Sequence, residues 1–109
     1  MPSLPPAIEL ALERVKQALT QIYGERLSAV YLYGSYARGD YREDSDVDLM
    51  IALKGEVNPT QEINRLSKVL SDISLDYGLL IATYPVSEAW LQERHGPLFA
   101  NVRREGVQL

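Results

Sequence analysis

A chain of 109 residues, 46% of them hydrophobic and none of them cysteine, has room for one folded domain with a modest core. It excludes disulfides and thiolate-zinc sites. The formal charge of −4 lacks the Lys and Arg excess of a general nucleic-acid-binding surface, so no direct nucleic-acid binding is expected.

No apolar run approaches the ~20 residues that span a membrane. The start, "MPSLPPAIELALERVK", lacks the basic opening and long apolar stretch of a signal peptide. A cytoplasmic protein without membrane contact is the expectation, with a single domain over residues 1–109. The Pro within "NPT" (Asn58 to Thr60) rules out a glycosylation acceptor.

In chain order, Ser3 is placed to cap a first helix, with Pro5 and Pro6 near its start. Ile8, Leu12, Val15, Leu19 and Ile22 recur at helical spacing, and Gly24 suits the stop. "LSAVYLY", Leu27 to Tyr33, reads as a mostly buried strand. Gly34 breaks it, and "SYARG" forms a short helix ending at Gly39. After a polar loop, Asp46 to Leu53 is a second strand, polar at its start and apolar afterwards. "KGEVNP" is a turn, and Thr60 to about Ser71 fits an amphipathic helix through Ile63, Leu66, Val69 and Leu70. Ile73 to Tyr84 reads as a third strand with Asp76 inside it, ended by Pro85. "SEAWLQERHG" and "PLFANVRREG" read as two short helices, each followed by Gly. The order α-β-α-β-α-β-α(α) gives an α/β or α+β domain.

The chemistry concentrates between Gly34 and Asp48. From Arg38 to Asp48 seven residues are charged, and five of those are acids: Asp40, Glu43, Asp44, Asp46 and Asp48. On a strand, residues i and i+2 point to the same face, so Asp46 and Asp48 project together. Two unpaired carboxylates that close raise each other's pKa. A Mg²⁺ ion relieves this, since it favours carboxylate oxygens and takes further ligands from phosphates and water. Gly34 lets the backbone approach a ligand, Ser35 offers a hydroxyl, and helix-start amides carry partial positive charge. Together they suit an anion. Ten residues separate Ser35 from Asp46, enough for a short helix and a loop returning to an adjacent strand. Arg38 and Arg42 lie in the same loop, free to touch phosphate or to pair with the acids. Asp76, an acid in an apolar run, is costly without a partner. Beside Val47 to Leu53 it would complete three carboxylates around two metals and a triphosphate, the arrangement for nucleotidyl transfer.

"GSYARGDYREDSDVDL" resembles the Gly-Ser, ten residues, Asp-x-Asp signature of the DNA polymerase beta-like nucleotidyltransferase superfamily. The likeness is greatest to its minimal nucleotidyltransferases, including the antitoxins of HEPN/MNT toxin-antitoxin systems. It extends over essentially the full chain, with only the central motif specific. The resemblance implies a small mixed sheet of three to four strands flanked by helices, similar to a polymerase palm. It implies a Mg²⁺-dependent enzyme with two ions and ATP as substrate, transferring AMP to a protein hydroxyl, a tyrosine of a HEPN-domain toxin. By position, Gly34 and Ser35 hold the triphosphate, with Arg38 as a further nucleotide contact. Asp46 and Asp48 bind both metals, and Asp76 binds the catalytic one. Asp72 lies nearby as an alternative, but Asp76's place within an apolar run favours it.

Larger family members use additional domains to hold an acceptor. Here almost every residue is spent on the core, so a protein acceptor, a hetero-oligomer with the toxin, suits best. Two other readings compete: an antitoxin that works by covering its partner without catalysis, and a nucleotidyltransferase acting on a small hydroxylated molecule. A P-loop NTPase is disfavoured, because no Gly-x4-Gly-Lys-Ser/Thr occurs. His95, beside Gly96, reads as a turn residue. The tyrosines at 31, 33, 36 and 41 read mostly as packing, with one available to stack on a base. Trp90 reads as a core or interface anchor.

Overall fold

Helix formation starts at Pro6, where a proline costs nothing because the first amides of a helix have no internal partner. The computed structural model describes residues 4–109, so the Ser3 cap lies outside the described residues. Helix α1 (Pro6–Tyr23) buries Ile8, Leu12, Val15 and Leu19, the expected stripe. Ile22 is 38% exposed, and Tyr23 takes its place on the buried face. A single 3₁₀ turn leads into β1 (Leu27–Tyr33). There follow α2 (Ser35–Arg38), β2 (Val47–Leu53), α3 (Pro59–Tyr77), β3 (Ile81–Ser87), α4 (Glu88–Glu93), α5 (Pro97–Glu105) and β4 (Val107–Gln108).

The four strands form one mixed sheet in the order β3-β2-β1-β4. β1 pairs antiparallel with β2 and with β4, while β2 and β3 run parallel, joined by α3. The expected mixed sheet of three to four strands flanked by helices is therefore present. Apart from Asp48, every residue of β2 is buried, because this central strand has helices over both faces. On one face, α1 and α3 pack Leu19, Leu66, Leu70 and Ile73 against Val30, Leu32, Leu49 and Ile51. On the other, α4 and α5 pack Leu91, Phe99 and Val102 against Met50 and Val86.

The third strand is a correction to the sequence reading. Ile73 to Tyr77 are helical, and β3 starts only at Ile81. Alternating apolar residues at 73, 75, 79 and 81 suggest a strand. The helical series Leu66, Leu70, Ile73 and Tyr77 prevails, because all four meet the core around α1. Leu75, off that stripe, is 79% exposed. Gly78 ends the helix in the left-handed region (φ 65°), and its N–H and that of Leu79 return to the carbonyls of the last turn. Pro85 sits inside β3 and not after it, which an edge strand tolerates.

This placement has a direct check. Leu66→Ala, at a fully buried site under the sheet, should cost ~2–5 kcal/mol in urea unfolding. Leu75→Ala should stay within ~0.5 kcal/mol of wild type. A large loss at Leu75 would mean that this segment packs as a buried strand.

Candidate active site

β1 ends at Tyr33, which stands opposite Asp48 in the antiparallel ladder. Opposed residues share a face, so both side chains project on the α4–α5 side. Asp48 lies one pleat beyond the buried Met50 and is half-buried. Asp46 precedes β2 and is exposed.

Gly34 follows Tyr33 with φ 78° and ψ −153°, a conformation open mainly to glycine. A Cβ there would also collide with the Asp48 Oδ2 atom. The backbone at the Gly-Ser turn thus lies directly against the carboxylate of the Asp pair. Ser35 opens the single turn of α2, in which the N–H groups of Ala37 and Arg38 donate to the Gly34 carbonyl at 3.1 Å. The amides of Ser35 and Tyr36 precede these bonds. Gly39 closes the turn in the left-handed region. In the returning loop, Arg42 N–H donates to Ser45 Oγ at 2.7 Å and Ser45 N–H donates to the Arg42 carbonyl at 3.0 Å. That closed loop carries Asp44, Ser45 and Asp46 to the site.

These elements enclose an open cleft of about 510 Å³. Gly34, Ser35 and Arg38 line it together with Asp44, Ser45, Asp46 and Asp48, and Tyr33 and two residues of α5, Leu98 and Asn101, complete the lining. Burial pushes the Asp48 carboxyl above its ordinary value; neighbouring Asp46 adds to this, and Arg38 opposes it. Burial also raises the Tyr33 phenol, with Asp48 and Tyr84 contributing. Arg38 Nε donates to Asp40 at 3.2 Å, and its Nη1 lies 3.7 Å from Glu105.

The donor set is all oxygen, and it concentrates negative charge where burial disfavours it. That suits a hard divalent cation such as Mg²⁺, with its remaining ligands from phosphate and water. Among the described residues, no group of three His, Cys, Asp or Glu side chains is placed to hold a metal. Asp46 and Asp48 fit such a cation, shared with a phosphate ligand.

Gly34, Ser35, Arg38, Asp46 and Asp48 are brought together as the spacing predicts. Asp76 is not. It lies in the last turn of α3, exposed, and accepts a hydrogen bond from Arg14 Nη1 at 2.7 Å. α3 covers the sheet face opposite to Asp48. Asp72, the alternative, is also an exposed residue of α3. The Asp76 assignment depended on a strand that is a helix here. Arg42 and His95 are exposed. Trp90 is half-buried beside the second core, with Arg94 stacked over it at 4.2 Å. Tyr36 and Tyr41 stack on each other at 4.5 Å and belong to the packing, while Tyr33 is the tyrosine in the cleft. Leu98 and Asn101 carry no signal in the sequence, because their place depends on how α5 lies over the sheet.

Residues 12–96 match the family model for the nucleotidyltransferase domain. The chain belongs to this family. A candidate protein adenylyltransferase of Methanocaldococcus jannaschii is 36% identical over 99 residues, covering 90% of this chain and 93% of that one. A solved structure of a candidate minimal nucleotidyltransferase superposes with a TM-score of 0.59 at 29% identity, over 99% of this chain and 100% of that one. A toxin-antitoxin crystal structure with AMP-PNP has the same fold, with a TM-score of 0.62 at 18% identity over 88% of this chain and 69% of that one. The resemblance to minimal nucleotidyltransferases read from the central motif is thus borne out.

Two outcomes follow from the geometry. Because the folded-state pKa of Asp48 is raised, the native protein holds that proton more tightly than the unfolded chain does. Stability therefore falls as pH rises through the raised value. Asp48→Asn should melt at a higher temperature than wild type at pH 7, with the gap closing as pH falls below the ordinary carboxylate range; a variant that melts lower at pH 7 would contradict the assigned cost. Asp76→Ala breaks an exposed ion pair and should leave both the melting temperature and nucleotide affinity close to wild type.

Proposed function

We propose that this protein is a Mg²⁺-dependent enzyme that transfers AMP from ATP to a hydroxyl group of a partner protein, a tyrosine of a HEPN-domain toxin, and so acts as its antitoxin. This reading places it in the cytoplasm, with ATP, in a complex with the toxin. The observation that carries it is the contact of Gly34 with Asp48, which sets a phosphate-sized turn against a cation-binding carboxylate pair. The protein adenylyltransferase relative and the toxin-antitoxin neighbour with AMP-PNP support the choice of acceptor and nucleotide.

In this reading the Gly34–Ser35 turn and the Ser35 hydroxyl hold the triphosphate, and Asp46 and Asp48 hold the cation that accompanies it. When bound, Mg²⁺ neutralises charge on the phosphates and on the departing pyrophosphate. Arg38, fixed between Asp40 and Glu105, adds positive charge at the cleft wall. The acceptor oxygen forms a bond to the α-phosphorus, and the bond from that phosphorus to the bridging oxygen breaks. Pyrophosphate leaves, and the acceptor proton is lost to solvent or a nearby base. The cleft is shallow and open, so a macromolecular acceptor can carry its hydroxyl in from outside.

Incubation with Mg²⁺, ATP and the HEPN-type partner should add an AMP-sized mass to the partner. Asp46→Asn and Asp48→Asn should each slow this at least ~100-fold, the scale for losing a group that stabilises transition-state charge. Gly34→Ala should cost ~1–3 kcal/mol of backbone strain and displace the Asp48 carboxylate, with transfer lost in the same assay. No mass gain, with the carboxylate variants still binding and silencing the partner, would sink the enzymatic reading in favour of a binding antitoxin.

A further inference from the structure

Among the described residues, the three-carboxylate, two-cation arrangement expected from the sequence has no third member. The β2–β3 register says why. Two cations ~3.5–4 Å apart need oxygen ligands on both sides of the pair. With Asp48 at the start of β2, a further carboxylate has to come from the neighbouring strand on the same face. The residue opposite Asp48 on β3 is Ala82. The next residue of β3 on that face is Tyr84, whose ring packs against Phe99 with centroids 6.4 Å apart. β3 contains no Asp or Glu at all. On the other flank, β1 presents Tyr33 to Asp48.

The remaining acids are engaged elsewhere or stand apart. Asp76 is held by Arg14 on the opposite side of the sheet. Glu88 accepts from Ser28 Oγ at 2.6 Å, beyond the far end of β3. Glu105 faces Arg38. Asp44 lines the cleft, yet it forms no three-ligand group with Asp46 and Asp48.

We infer that the cleft holds a single divalent cation, the one that arrives with the nucleotide, because Ala82 occupies the strand position from which a carboxylate would complete a second cation site. The inference rests on the nucleotidyltransferase reading of the cleft. Ala82 is exposed and stands opposite Asp48 in the ladder, so a carboxylate introduced there stands beside that of Asp48. The acceptor hydroxyl is accordingly left without a cation held by this chain.

The test uses Mn²⁺ and α,β-methylene-ATP with the full chain, counting ions by native mass spectrometry and reading their coupling by electron paramagnetic resonance. Wild type should carry one Mn²⁺ per bound nucleotide, with an uncoupled spectrum. Ala82→Asp should carry two, with the spectrum of a coupled pair. A coupled pair in wild type overturns the inference whether or not the variant folds. A folded Ala82→Asp that still carries one ion also overturns it. Failure of wild type to bind the nucleotide at all, with or without Mn²⁺, overturns the functional reading itself and the inference with it.

Discussion

The antiparallel pairing of β1 with β2 is the constraint on which the rest of the site depends. It fixes Tyr33 opposite Asp48, and so fixes Gly34, the next residue, against the Asp48 carboxylate. The placement of the candidate cleft residues follows from that one register. The Gly-Ser turn and the Asp pair come from segments joined by ten residues, yet they meet because the two strands are neighbours in the sheet. A slip of one residue would turn Asp48 into the α1–α3 core and Leu49 into the cleft. The buried alternation of Leu32, Leu49 and Ile51 makes such a slip prohibitive. The hydrophobic pattern that stabilises the fold therefore also aims the functional carboxylate.

That aim is made at a cost. Asp48 interrupts an otherwise buried strand, and burial with the charge of Asp46 works against its ionised form. Gly34 holds a left-handed backbone that gives up conformational freedom on folding. Both costs fall at the candidate cleft, as in sites preorganised for a ligand. Arg38 offsets part of the Asp48 cost from across the cleft, but it is itself shared with Asp40 and Glu105.

The local parts of this structure were legible in the sequence. β1, the single turn of α2 and the Asp46–Asp48 pair are specified by short-range chemistry: a β-branched and aromatic run, two glycines that tolerate left-handed backbone, and a period of two. Those features decide the site residues Gly34, Ser35, Asp46 and Asp48. What failed was non-local. Ile73 to Tyr77 carry both a strand-like and a helix-like pattern, and only the position of α1 beneath them makes the helix win. Asp76 followed that misreading, because its apolar neighbours are helix positions and its own side chain points to solvent and to Arg14. Leu98 and Asn101 were invisible for the same kind of reason: their relation to the cleft depends on where α5 crosses the sheet. The two-residue β4 is fixed by its pairing with Tyr31 and Leu32 and carries little signal of its own.

The packing of α1 on α3 bears on more than the core. Interdigitated apolar side chains already resist sliding, and two polar contacts lie along the seam, one toward each end of α3. Tyr23 Oη donates to the buried Glu62 Oε1 at 2.7 Å near the start of α3, and Arg14 reaches Asp76 near its end. A slide of one helical turn, about 5.4 Å, would take the buried Glu62 carboxylate away from its phenol and leave it only Arg65, at 3.4 Å on its own helix. Where α3 stops, Gly78 turns the chain, and β3 begins at Ile81, opposite Val47. The residue beside Asp48 is thus reached through a 19-residue helix whose start is tied to α1 by a phenol and a carboxylate.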